Sequence, residues 1–277
     1  MNFHEIFNEI SARVLPVFKH YREDIKSLDV QIKPDNSLLT QADVEIQDIV
    51  VETIRKYDPN AGLIAEEKSL RRGSTHGRYT WVIDPIDGTR PFTSPASHEF
   101  CCAVGVLEKG FPVASMVLMP EMGINKTPLL AVALVAANEI FINGEPYRAV
   151  SESNHTPMAS VTRAGDAPPS AIEERLAASG VSVKTGTTSL IMDLLRTAID
   201  ISPYSDMGAG PFRVFHRGRL RLWDIVPGLC FNIIAGKAIV GLDGEAILPY
   251  PDSVVDSDDP VSPAVVIAEA GDIRWLL

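Results

Sequence analysis

The sequence predicts α+β character in the first half of the chain and α/β character in the second. Three observations carry this. Near both residue 3 and residue 40, apolar side chains begin to recur at three- and four-residue steps, the mark of amphipathic helices. Short apolar segments punctuated by turn formers then cluster over residues 62–135. From residue 159 onward, strand-like and helix-like segments alternate, the pattern of α/β architecture.

In the first helix, Phe3, Ile6, Phe7, Ile10, Val14, Val17, Phe18, Tyr21 and Ile25 form one stripe, and Pro16 is expected to bend it. Residues 33–39 are a polar break. The second helix opens near Thr40 with Asp43 three residues on, the spacing of a capping box. Val44, Ile49, Val50 and Ile54 are expected to supply its buried side, and Asp58-Pro59-Asn60 ends it. Strands are expected at residues 62–65, 79–83, 101–107, 113–118 and 130–135. Gly110 and Pro112 mark a hairpin turn, and Asn143-Gly144 a further tight turn. Residues 151–157 are polar and without pattern. A soft boundary there divides an N-terminal part, residues 1–150, from a C-terminal part, residues 151–277. In the second part, strands at residues 159–162, 181–184, 238–241 and 264–267 accompany helices at about residues 169–179, 189–199 and 224–235. Residues 252–259 hold four aspartates and read as a solvated loop.

Composition narrows the function. Lys and Arg number 25 against 36 Asp and Glu, a net charge of −11. Such a chain, with no run of five or six basic residues, is a poor partner for nucleic acid. Its longest apolar run, residues 129–137, is far short of the roughly 20 residues that span a bilayer. The start, Met1-Asn2-Phe3-His4-Glu5, lacks the shape of a secretory signal. The three cysteines, with Cys101 and Cys102 adjacent, make neither a disulfide framework nor a CxxC pair, which fits a reduced, cytoplasmic setting. A metal site would therefore use oxygen ligands or scattered histidines. His98, His155 and His216 lack ligand spacing, and Cys101-Cys102 reads as core.

Acidic residues at segment ends carry the chemistry. Glu66 and Glu67 close one short apolar strand, and Asp84 closes another, Trp81-Val82-Ile83-Asp84. Asp87 follows Pro85-Ile86 and leads into Gly88-Thr89, while Asp224 follows Trp223 at a helix start. Carboxylates so placed project into the crevice where open α/β folds bind ligands. Pro85 stiffens the turn, two carboxylates three residues apart can converge on a hard cation, and Gly88 lets the backbone approach a ligand. A helix beginning at Thr89 would aim the amides of Gly88 and Thr89 at a phosphate. Oxygen-only ligands suit Mg²⁺, and two such ions could clamp the attacking and leaving oxygens of a phosphate ester. Each residue alone also fits a structural role, because Asp-Pro and Asp-Gly are common turn formers and Asp224 suits an N-cap.

Taken together, these residues make the sequence resemble the inositol-monophosphatase-like family of Mg²⁺-dependent phosphatases. The resemblance is carried by Trp81-Val82-Ile83-Asp84-Pro85-Ile86-Asp87-Gly88-Thr89. Ile64-Ala65-Glu66-Glu67, Lys33-Pro34-Asp35-Asn36-Ser37, Thr40-Gln41-Ala42-Asp43 and Trp223-Asp224 support it, in the family's order. It implies a layered αβαβα sandwich of the inositol monophosphatase and fructose-1,6-bisphosphatase type. The implied activity is hydrolysis of a small phosphate monoester by a metal-activated water. Residue by residue, Glu66, Asp84 and the Ile86 carbonyl would hold a first Mg²⁺, and Asp84, Asp87 and Asp224 a second. In an alternative count, Glu66 also touches a third, loosely held ion. Asp43 and Thr89 would orient a metal-bound water, and Lys33 would lie on a mobile loop above the ion. Asp87, Gly88, Thr89, Gly186, Thr187 and Thr188 would contact substrate. A homodimer is compatible with the resemblance.

The departures concern substrate. Arg217 stands seven positions before Asp224, where many inositol phosphatases carry an acid that binds inositol hydroxyls. A guanidinium accepts no hydrogen bonds but pairs well with a second phosphate or a carboxylate. With Arg90 beside Thr89, this leans the expectation toward a nucleotide or another doubly anionic ester. The alternatives are an inositol or sugar phosphate, histidinol phosphate, or a non-catalytic relative that binds metal or phosphate; for the two arginines themselves, the alternative is a pair of solvated surface residues.

Overall fold

The computed structural model describes residues 1–25, 30–32, 38–67, 77–149, 156–162, 168–186, 188–206 and 210–277. Helices α1 (Phe3–Glu23) and α2 (Gln41–Tyr57) are the two that the apolar stripes predict, with Pro16 inside the first. The expected capping box starts α2: the Thr40 amide donates to Asp43 Oδ2 at 2.8 Å and the Thr40 hydroxyl at 2.6 Å. The buried face of α2 is rotated from expectation. Ala42, Asp43, Ile46, Gln47, Val50, Thr53 and Ile54 are buried, whereas Val44 and Ile49 are half-buried. Before α2, β1 (Val30–Ile32) and β2 (Leu38–Thr40) pair antiparallel, a ladder too short to leave a sequence pattern.

One sheet takes β3 (Gly62–Ala65), β4 (Thr80–Asp87), β5 (Cys101–Glu108), β6 (Phe111–Met119), β7 (Leu129–Leu134), β8 (Glu139–Ile142) and β9 (Glu145–Pro146), in that order. Only β3 and β4 pair in parallel; the rest meander antiparallel. A single helical turn, α3 (Thr89–Phe92), follows β4. The later chain gives α4 (Ala171–Ala178), α5 (Leu190–Ala198), α6 (Leu222–Ile234), α7 (Asp252–Val255) and α8 (Ala270–Leu276). Its strands are β10 (Met158–Val161), β11 (Ser182–Lys184), β12 (Phe212–Arg217), β13 (Leu220–Arg221), β14 (Ala238–Val240), β15 (Val261–Ser262) and β16 (Val265–Ala268). The second sheet runs β11-β10-β12-β16-β14, while β13 and β15 form a separate two-stranded ladder.

Two expectations change here. Residues 212–217, where the sequence predicts no strand, form the central strand β12; Arg213 faces out, but Arg217 faces in. Residues 252–259 begin with a helical turn, α7, that buries Val255, rather than a plain loop. The second sheet is mixed: β11, β10 and β12 are parallel, β12, β16 and β14 antiparallel.

Period-two alternation sorts the side chains into layers. On one face of the first sheet, Trp81, Ile83, Cys102, Val104 and Met116 pack against Phe7, Ile10, Ile46 and Val50 of α1 and α2. On the other face, Cys101, Ala103, Val117 and Ala131 meet Ile191, Leu195, Cys230 and Phe231 of α5 and α6. The adjacent cysteines thus belong to opposite cores. Val226 and Leu229 of α6 also touch Phe215, Val265 and Ile267 of the second sheet. The outer face of that sheet, with Val161, Val214 and Val266, is covered by Ile172 and Leu176 of α4 and Leu276 of α8. The order is helices, sheet, helices, sheet, helices: the αβαβα sandwich. Among the described residues, no helix is long and apolar enough to cross a membrane.

Candidate active site

The site begins with an irregularity in β4. Asp84 pairs with Ala103 and Asp87 with Cys101, so three steps along β4 match two along β5. The extra residue is accommodated at Pro85-Ile86, where proline's missing amide costs the ladder nothing. Without the bulge, residues three apart would point to opposite faces. With it, Asp84 and Asp87 both share the face of Ala103 and Cys101, toward α5 and α6. Glu66, two residues beyond Ile64, falls on the same side by alternation. Asp224, in the first turn of α6, completes the group and accepts the Arg221 amide at 3.2 Å.

Glu66, Asp84, Asp87 and Asp224 line one cleft of about 250 Å³, together with Leu38, Ile86, Gly88, Thr89, Arg90, Pro91 and Thr188. Arg90 is the one basic side chain among the described residues lining it. Asp84 is 1% exposed, and its Oδ1 has no hydrogen-bond partner among the described residues. Burial, then the neighbouring Glu66, Asp87 and Asp224, hold its carboxyl well above the usual carboxylate range. Burial pushes Asp87 up to about 6, against the pull of hydrogen bonds from Ser189, Ile191 and Leu190. Asp224 is raised by burial, then by Asp87 and Glu66. Among the described residues, no three acidic, histidine or cysteine side chains stand at the spacing that grips an ion. The carboxylates border the cleft without closing on one point.

Other expected residues gather at the same cleft. The Thr89 hydroxyl stands 3.2 Å from the Ile86 carbonyl and 3.5 Å from Asp43 Oδ1. Gly88 has φ of 90°, and a Cβ there would lie 2.9 Å from both the Glu99 and Thr188 carbonyl oxygens. Only glycine fits that conformation and that space.

Arg217 is a correction. It is not among the residues lining the cleft; its side chain is 2% exposed and held in a buried polar network. The guanidinium donates to the His216 carbonyl at 2.8 Å and Ser160 Oγ at 2.9 Å, and lies 3.4 Å from Asp193 Oδ2. Asp193 explains the reversal of charge, since the chain supplies the arginine's anion itself. Gly186 likewise lies outside the cleft lining, facing open space. Lys33 and Thr187 fall outside the described residues, as does His155.

Two supporting residues escaped the sequence reading. Gln47 Oε1 accepts the Glu67 amide at 2.8 Å while Gln47 Nε2 donates to the Glu67 carbonyl, which fixes the strand end that bears Glu66. A glutamine in register with Asp43, Ile46 and Val50 on a buried helix face was the available signal. Ser189 donates to Asp87 at 2.5 Å; as one of several small polar residues before α5, it carried no signal.

The sequence matches the inositol monophosphatase family over residues 2–270. The 3'(2'),5'-bisphosphate nucleotidase CysQ of Escherichia coli strain K12 is 29% identical over 103 residues, 36% of this chain and 40% of that protein's length. A fructose-1,6-bisphosphatase/inositol-1-monophosphatase of Thermotoga maritima is 27% identical over 237 residues, 83% of this chain and 81% of the relative. The crystal structure of an IMPase/NADP phosphatase complexed with Mg²⁺ and phosphate superposes with a TM-score of 0.74, covering 100% of this chain and 95% of its own, at 20% identity. That likeness is one of fold. By the match across residues 2–270, the chain belongs to the inositol monophosphatase family.

Proposed function

We propose that this chain is a Mg²⁺-dependent phosphatase that hydrolyses a small phosphate monoester. The observation that carries the reading is Asp84, a buried carboxylate beside three further acids, with one oxygen that has no partner among the described residues. A charge so placed calls for a cation, and the donors on offer, carboxylate and carbonyl oxygens, suit Mg²⁺ in kind. Glu66, Asp84 and the Ile86 carbonyl would hold one ion, and Asp84, Asp87 and Asp224 a second. The IMPase/NADP phosphatase that shares this fold was crystallised with Mg²⁺ and phosphate, which supports the choice of ion. When bound, Mg²⁺ supplies Lewis-acid stabilisation of the phosphoryl oxygens and lowers the pKa of water. The chain's own part is positioning. Gly88 lets the strand end lie close against the Glu99 and Thr188 carbonyls at the cleft, and Thr89, backed by Asp43, would orient the attacking water.

For the substrate we favour an ester with a second anionic group. Arg90, exposed at the cleft, is the cation that the described residues offer it, in place of Arg217. The names of two relatives, a bisphosphate nucleotidase and a fructose-1,6-bisphosphatase, agree. An inositol monophosphate is the second reading, because the Thermotoga maritima relative is also named an inositol-1-monophosphatase.

The test is phosphate release with Mg²⁺ across adenosine 3',5'-bisphosphate, fructose 1,6-bisphosphate, inositol 1-phosphate, histidinol phosphate and nucleoside monophosphates. Bisphosphates are expected to lead, and chelator to abolish release. Undiminished turnover after the metal has been stripped would refute the metal-dependent reading.

A further inference from the structure

Asp87 is tied to an element about a hundred residues away in the chain. Its Oδ2 accepts from the Ser189 hydroxyl at 2.5 Å and the Ile191 amide at 2.7 Å, with the Cys101 thiol at 3.9 Å. Among the described residues, its Oδ1 accepts one longer bond, from the Leu190 amide at 3.2 Å. A carboxylate oxygen offers about two lone-pair sites. Oδ2 is therefore filled by the start of α5, and Oδ1 keeps capacity for a ligand.

The Ser189 hydroxyl has two tasks. It accepts the Met192 amide at 3.2 Å, capping α5, so its proton is left for Asp87. Ser189 is 1% exposed, so water does not compete for that proton. We propose that Ser189 is a positioning residue for the cation site: it fixes the rotamer of Asp87 so that Oδ1 is kept for the ion. This rests on the reading of Asp87 as a metal ligand given above.

The experiment is calorimetric titration of chelator-stripped protein with Mg²⁺, alongside urea unfolding of the same metal-free samples. Loss of a partner that orients a metal ligand typically weakens metal affinity by about 10–100-fold. Ser189→Ala should bind Mg²⁺ about tenfold more weakly, near the lower end because two backbone amides remain. Ser189→Thr, which retains the hydroxyl, should stay near wild type. If the alanine variant does not fold, Ser189→Gly removes the donor while capping almost as well as serine, and should show the same weakening. A lowered unfolding midpoint with unchanged Mg²⁺ affinity in Ser189→Ala or Ser189→Gly would make Ser189 merely a helix cap and overturn the proposal. Wild-type protein that binds no Mg²⁺ would overturn the metal reading itself, a result distinct from wild-type binding that is indifferent to residue 189.

Discussion

Replacing Arg217 with methionine should weaken the fold and leave the choice of substrate alone. The guanidinium sits over the Phe215 ring at 4.7 Å and reaches His216, Ser160 and Asp193. Asp193 is 1% exposed, so it cannot turn to water when its partner is removed. Removing one member of a buried ion pair costs about 3–5 kcal/mol when the other is left uncompensated. Asp193 is not left alone: Lys184 Nζ remains at 2.8 Å and the Ser160 hydroxyl at 2.5 Å. Methionine also refills part of the arginine stem's volume. The lower end, about 3 kcal/mol, is the expected loss. At roughly 2–4 °C per kcal/mol for domains of this size, Tm should drop by about 6–12 °C. Circular dichroism melts would read this, and a cycle with Asp193→Asn should reveal a coupling of at least about 1 kcal/mol. Steady-state kinetics below the melting range should give similar kcat/KM ratios, variant to wild type, for a bisphosphate and an aryl phosphate. An unshifted Tm with a loss confined to the bisphosphate would refute the reasoning, because it would put the guanidinium on the substrate.

Two further outcomes follow from the residues around the cleft. Gly88→Ala places a methyl group 2.9 Å from two carbonyl oxygens at φ of 90°; it should cost about 1–3 kcal/mol of stability and most of the phosphatase activity, so a variant with wild-type unfolding and turnover would show that the strand end tolerates the shift. Gln47→Leu removes both bonds to the Glu67 backbone and should cost about 2–6 kcal/mol, at about 1–3 kcal/mol for each of the two buried groups that lose their partner. Mg²⁺ titration of that variant should also show weaker binding through displacement of Glu66, and unchanged affinity would detach Gln47 from the site.

What the sequence made legible was local. The stripes of α1 and α2, the Thr40-Asp43 box and the stretch from Trp81 to Thr89 each declare themselves within one or two turns of chain, where period and spacing act. What it hid depends on partners distant in sequence. Arg217 reads as a free cation because Asp193, which neutralises it, is on α5, and nothing near residue 217 announces the pairing. The strand β12 stays hidden for a related reason: Phe212, Val214 and Phe215 are buried, but the buried Arg217 disrupts the apolar reading. Gln47 breaks the stripe of α2 in the same way, which shifts the expected buried face to Val44 and Ile49. In each case a polar side chain on a buried face misleads a hydrophobicity argument because its partner offsets the desolvation cost from elsewhere in the chain.

Those inward polar residues also explain how a cluster of acids survives between two hydrophobic cores. Unsupported, Asp84, Asp87 and Asp224 would swing apart or out toward water, since each is disfavoured by burial and by its neighbours. The chain restrains them one at a time, by backbone devices that the fold already uses. A bulge keeps Asp84 and Asp87 on one face, the start of α5 fills one oxygen of Asp87 and reaches the other, and the Arg221 amide at the start of α6 takes one of Asp224. Gln47 fixes the strand end beside Glu66 from α2. The restraints come from three helices in two layers, so no single element owns the site. Its geometry therefore depends on the first sheet, α2, α5 and α6 being docked together, and Mg²⁺ binding by stripped protein should be lost in the same cooperative unfolding step as the α5–α6 packing, with no metal-competent fragment surviving it.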